Sequence, residues 1–192
     1  GQVYSFMDKE ATMRHLGNIT VTPDNAAGFT AASEIFGHLT IAGGVVMTAP
    51  YLSMIRGWLT LQPGASIAAA KLGVVNGWVT LQEGSWLIAP YLTTISADLI
   101  IAPNVKYDDG LVEVGALNIQ RGASARLTSL VRVRTNVAVA GGAQLTADRL
   151  ESVGNSITLR EDARFFAASL SHIGGYYDAE PTATFLAPKF GA

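Results

Sequence analysis

The chain has 192 residues, 49% of them hydrophobic and only 15% charged, which is enough apolar material for one packed domain and too little charge for a disordered tail. Its formal net charge of −2 gives no basic balance with which to neutralise phosphates, so nucleic-acid binding is not expected. Cysteine is absent, which excludes disulfides, zinc–thiolate sites and thiol nucleophiles.

Residues 1–16 include Asp8, Lys9, Glu10 and Arg14 and lack the continuous apolar core of a signal peptide. No stretch of about 18 uncharged apolar residues occurs anywhere, so membrane insertion is not expected. This segment reads as an N-terminal cap, with Ser5 or Asp8 placed to N-cap a short helix that ends at Gly17.

From Gly17 the chain is a repeat. The motif Gly-x-[LIV]-Thr-[LIV] appears as GNITV at Gly17, GHLTI at Gly37, GWLTL at Gly57 and GWVTL at Gly77, 20 residues apart each time. Diverged copies start at Ala97, Gly115, Thr135 and Asn155, with one step of 18, and a partial ninth begins near Gly175. Two columns, Ile19 through Ile157 and Val21 through Leu159, are wholly aliphatic at a spacing of two, the mark of a strand with one buried face. A second apolar pair recurs as Leu52 and Ile55, Leu72 and Val75, Leu92 and Ile95, and onward to Leu170 and Ile173. Five residues after the first column stand Asp24, Gly44, Gly64, Gly84, Asn104, Gly122, Gly142 and Asp162, all types that tolerate positive φ. The pattern predicts an all-β chain, a parallel β-solenoid (β-helix) of about eight 20-residue coils over residues 17–192, behind a cap at 1–16. The aromatic-rich stretch from Gly174 onward, with Tyr176, Tyr177, Phe185 and Phe190, reads either as a cover on the last coil or as part of a ninth coil.

The segments Ala49-Pro50-Tyr51-Leu52 and Ala89-Pro90-Tyr91-Leu92, the turns Gly64-Ala65 and Gly122-Ala123, and Ile173-Gly174-Gly175 carry a resemblance. They resemble A-P-x-L-x-x-I-G-G repeat arrays of bacterial and bacteriophage proteins, and leucine-rich-repeat-like and receptor-L-type solenoids. The turn glycine where a leucine-rich repeat places asparagine argues against a horseshoe with inner helices. The resemblance implies a phage-tail or bacterial-surface adhesion setting, on a virion or cell surface.

Outward positions supply the candidate sites. Trp58 and Trp78 fall one coil apart beside Gln62 and Gln82; Tyr51 and Tyr91 lie two coils apart with Lys71 between; Trp86 points outward from mid-repeat. These seven residues read as anchors for a protein partner, for the chain's own copies (a homotrimer among them) or for a cell-surface glycan stacked on ring faces. A plain stiffening ladder is the competing reading. The outward threonines Thr20, Thr40, Thr60, Thr80 and Thr158 form one column where ice-binding solenoids present two, so that reading is set aside. The arginines Arg121, Arg126, Arg132, Arg134, Arg149, Arg160 and Arg164 gather in the later coils among acidic residues, as a mutually compensated surface, with an anion or acidic-glycan site as the alternative. The short coil holds Asp98, Lys106, Asp108, Asp109 and Glu113, and its paired carboxylates give the alternative of a small glycan-binding or glycan-cleaving module over 98–113, or of a calcium site. Asp108-Asp109-Gly110 is also ordinary turn chemistry. His15, His38 and His172 fall at unrelated phases, so no metal site or catalytic triad is expected, and without a phosphate-binding glycine loop no cofactor is expected either. The expected function is a non-enzymatic scaffold that presents flat faces.

Overall fold

A computed structural model of the chain describes residues 4–7, 13–108 and 110–191. It is an all-β parallel solenoid of nine three-sided coils, one more than the eight full repeats of the sequence, because Tyr177–Ala179 and Thr184–Leu186 complete a ninth. The C-terminal aromatics therefore belong to a coil and not to a cover over one.

The first side of each coil is the Gly-x-[LIV]-Thr-[LIV] strand. It starts at Ile19–Val21, Leu39–Ile41, Leu59–Leu61 and Val79–Leu81, each pairing in parallel with the next at a register of 20 residues. Alternation puts Leu59 and Leu61 inside and Thr60 outside, as period two requires. The second side holds Val46–Thr48, Ser66–Ala68, Trp86–Ile88 and Lys106–Asp108, then Ser124–Arg126, Gln144–Thr146, Arg164–Phe166 and Thr184–Leu186. The third side holds short strands such as Met54–Ile55, Val74–Val75 and Ser152–Val153. In the coil from Gly57, Leu59, Leu61, Ala65, Ile67, Ala69, Leu72 and Val75 are all sealed from solvent. Each large aliphatic among them contributes about 1.5–3 kcal/mol by burial, and it does so only because a coil lies above and below.

Two corners explain the glycines. At the corner after the first side, Gly44, Gly64, Gly84, Gly122 and Gly142 adopt φ of 67–70°, and Asn104 and Asp162 adopt 60° and 57°. Asp24, expected in the same role, does not. In its coil the Asn25 side chain accepts from the Thr22 N–H at 2.7 Å and donates to the Thr20 carbonyl, and a short 3₁₀ turn, Ala26–Phe29, follows. At the corner between third and first sides the backbones nearly touch: a Cβ on Gly77 would stand 2.7 Å from the Gly57 carbonyl oxygen.

The described parts of the N-terminal segment, which include Ser5, are strands and not a helix. Tyr4–Met7 and Met13–Leu16 pair as an antiparallel hairpin, and the second of these strands runs parallel to Ala32–Ile35 on the third side. Asp8, one of the two proposed helix caps, lies outside the described residues. The hairpin places His15 opposite Ile35 in the core column, buried, with its ring edge-on to Phe29 at 5.2 Å.

The short coil is where the stack changes. One residue is lost at the corner between second and third sides and one between third and first, since Thr94 pairs with Glu113 but Asp98 with Ala116. The second corner is ironed into continuous strands, Thr94–Ile101 and Glu113–Ile119. The first side carries through without interruption, while the second side divides into two four-stranded sheets, broken between Lys106–Asp108 and Ser124–Arg126. A cavity of about 150 Å³ lies at the break, lined by Ile101, Val105, Tyr107 and residues 124–127.

Candidate binding surface

The seven singled-out residues divide between two sides. Trp58, Trp78, Gln62 and Gln82 flank the first side. Tyr51, Tyr91 and Trp86 lie on the second side and its outer corner.

On the first side the tryptophans stack one coil apart, with centroids 4.6 Å apart and planes within 5°. His38 extends the ladder: its ring lies 3.2 Å from Trp58 and within 2° of parallel, and its Nδ1 accepts the Trp58 N–H at 3.1 Å. Below it, Asn18 Oδ1 accepts the His38 N–H. Both faces of Trp58 are thus covered by rings. A pyranose stacks on an open ring face, and Trp58 presents solvent only with an edge. Gln62 is committed locally, its Oε1 accepting the Gly43 N–H at 3.1 Å. The same column continues in the later coils by hydrogen bonding, with Asn136 Oδ1 accepting from Asn155 Nδ2 at 2.9 Å and from Ser156 Oγ at 2.8 Å.

The second side is different. In its N-terminal half the outward strand positions are Val46, Ser66 and Trp86 in one column and Thr48, Ala68 and Ile88 in the next. Pro50, Tyr51, Pro90 and Tyr91 stand exposed along the neighbouring corner. Val46 is 77% exposed and Tyr91 70%. Two cations rest on rings at this surface, Lys71 Nζ 5.5 Å from the centre of Tyr51 and Lys106 Nζ 5.2 Å from that of Trp86. Among the described residues no other ring or cation stacks on Tyr91. Val46, Ala68 and Ile88 escaped sequence reasoning because the inward column of this side, Met47, Ile67, Leu87, Tyr107, Ala125, Leu145 and Phe165, varies too much in size to stand out as a column. The recurring Ala49, Ala69 and Ala89 at its end was the available signal.

The acidic coil does not converge. Asp98 sits on the third-to-first stretch and Asp108 ends a second-side strand. Glu113 begins a third-side strand and faces Arg134 at 3.5 Å and Arg132 at 3.8 Å. In register Glu113 neighbours Thr94, four residues from Asp98, or about 13 Å along a strand. Asp109 lies outside the described residues. Among the later arginines, Arg160 contacts Asp178 and Glu180, and Arg134 also donates to the Ser96 carbonyl. A shallow polar depression of about 410 Å³, lined by Gln144, Asp162, Arg164, Thr182 and Thr184, marks the corner of the last coils.

Comparison of the chain with protein-family models, with curated proteins and with solved structures returns no match, so the geometry of these surfaces is what a functional reading has to rest on.

Proposed function

We propose that the chain is a non-enzymatic scaffold that binds a protein partner through the N-terminal half of its second side. The observation that supports this reading is the flat apolar strip of Val46, Ala68, Trp86 and Ile88 bordered by Tyr51 and Tyr91. A strip of this kind, on backbone held rigid by in-register neighbours, binds with little ordering cost, and aromatic anchors with basic fringes are the usual centres of such contacts. The tryptophan ladder stiffens the opposite edge. The setting implied by the repeat resemblance, a phage tail or bacterial surface, fits a rod that displays a side.

A second reading is favoured by one residue. Tyr91 is the most open ring of the seven, so a glycan would stack there and not on Trp58. Binding of the intact chain to bacterial surface proteins and to an immobilised glycan panel separates the two. The double variant Val46→Asp with Ile88→Asp should abolish protein binding with an unchanged melting temperature, and Tyr91→Ala alone should abolish glycan binding. Binding that survives both and is lost in Trp58→Ala with Trp78→Ala would overturn the assignment to this side.

A further inference from the structure

The break in the second side opens onto the core in mid-rod. Positions at the phase of Val105 are sealed in the coils on either side: Ala65 and Ser85 are 0% exposed and Ala123 1%. Those at the phase of Tyr107 are sealed too, as Ile67, Leu87 and Leu145 show. Val105 and Tyr107 themselves are only partly buried. The room comes from Ala125, one step past Tyr107, where the same inward column holds Leu145 in the next coil.

The cavity of about 150 Å³ at this opening has two kinds of wall. Ile101, Val105, Ala125 and Leu127 are apolar, and the outward-facing Ser124 and Arg126 supply donors at its rim. Ser66, Trp86 and Lys106 before the break, and Gln144 after it, each donate an N–H to the coil below. Among the described residues no acceptor stands in that place for Ser124, because Ser124–Arg126 pairs only with Gln144–Thr146 above it. Arg126 is exposed and makes no ion pair among the described residues, Asp108 across the break included.

We propose that the break cavity binds a small apolar carboxylate, an acid carried on one aromatic or branched aliphatic group. This ligand site goes beyond the scaffold reading and does not depend on it. A cavity of this volume with aliphatic walls takes one benzene-sized group. That group lies among Val105, Ala125 and Leu127, and its removal from water drives binding. The carboxylate stays at the rim, where it accepts from the Ser124 N–H and the Arg126 guanidinium, and charge-assisted bonds of this kind are the strong ones. The walls reject other occupants. A sugar ring would set hydroxyls against Ile101 and Leu127, where they go unpaired. An inserted strand is excluded by spacing: residues 99–101 pair directly with 117–119 in the same two coils, which holds those coils one step of about 4.8 Å apart.

Titration of the intact chain with benzoate, followed by amide chemical shifts, tests this. The Ser124 and Arg126 amides should shift saturably, and their hydrogen exchange should slow when benzoate is bound. Benzyl alcohol, which has the same ring without the charge, should bind about tenfold more weakly. Arg126→Gln should bring the two affinities together, and Asp108→Asn should strengthen benzoate alone. Ala125→Leu, which places in this column the residue that Leu145 already is, should abolish binding of both and raise the urea midpoint. The comparison of acid with alcohol needs no variant, so it stands even where a variant fails to fold. Absence of a saturable shift, equal affinity for acid and alcohol in the unaltered chain, or binding that survives in folded Ala125→Leu would each overturn the proposal. None of these results touches Val46 or Ile88, whose own variants decide the scaffold reading separately.

Discussion

Gly57, Gly77 and Gly154 stand where consecutive coils bring their backbones close together, and Gly142 stands where a single residue must turn with positive φ. The two demands are physically different. A Cβ on Gly154 would fall on the Arg134 carbonyl, whereas one on Gly142 meets nothing within 4 Å. Gly154→Ala should therefore cost about 3 kcal/mol through forced backbone displacement. Gly142→Ala should cost about 1 kcal/mol, from conformation alone. Gly142→Asn should cost less than Gly142→Ala, because Asn104 already holds φ of 60° at the same phase. Urea titration of the three variants ranks them. His15 supplies a second test at this scale. Its ring is buried and neither nitrogen finds a hydrogen-bond partner among the described residues, and desolvation holds its pKa below the usual imidazole value. Below about pH 6.5 the unfolded chain takes up a proton that the folded one refuses. Stability should thus be lost as pH falls from that value towards the lowered folded pKa, and His15→Leu should remove this part of the pH dependence of the urea midpoint.

Among elements, the two-residue omission is the informative one. It leaves the first side continuous and opens the second between Lys106–Asp108 and Ser124–Arg126. In the three preceding coils a second-side N–H reaches the coil below, Ser66 to the Val45 carbonyl at 2.8 Å, and Trp86 to that of Ala65 and Lys106 to that of Ser85, both at 2.9 Å. Hydrogen exchange should find the Ser124 and Arg126 amides less protected than Leu99 and Ile101 in the neighbouring first-side strand. Equal protection would mean that the break closes in solution. The sequence made the omission visible as a step of 18 but not its effect. A count of residues cannot say which corner gives up its bend, and that depends on Ala97 standing where Gly57 and Gly77 allow a tight turn. The first-side strands were legible because Ile, Leu and Val repeat there at a spacing of two. The N-terminal hairpin was not, because a lone Ser or Asp before a glycine satisfies a helix rule and a turn rule equally. Its pairing is decided by the third-side strand that Met13–Leu16 joins.

For the molecule as a whole, nine coils span eight steps of about 4.8 Å, a rod of roughly 38 Å. Each coil is held by its neighbours and by little else, so stability is distributed along the axis as a series of interfaces. The aromatic ladder shows what whole-molecule geometry adds to sequence. The 20-residue spacing placed Trp58 over Trp78, and the stack follows from it. That His38 joins them, and that the ring faces are thereby covered, follows from the angle at which the corner presents the rings. Phase alone does not contain that angle. The open strip on the second side emerged only once three strands per coil were in place.

The fixed register between Met54–Ile55, Val74–Val75 and the strand at Thr94 makes the rod a ruler graduated in single coils. Excising residues 57–76 would join Arg56 to Gly77 at the same phase, set Trp78 directly on His38, and bring Val46–Thr48 beside Trp86–Ile88. Such a chain should fold cooperatively, shorter by one graduation of about 4.8 Å in small-angle scattering. Removing 57–66 alone, half a graduation, should prevent folding. Length in this architecture changes by whole increments, and each increment carries its own copy of every side.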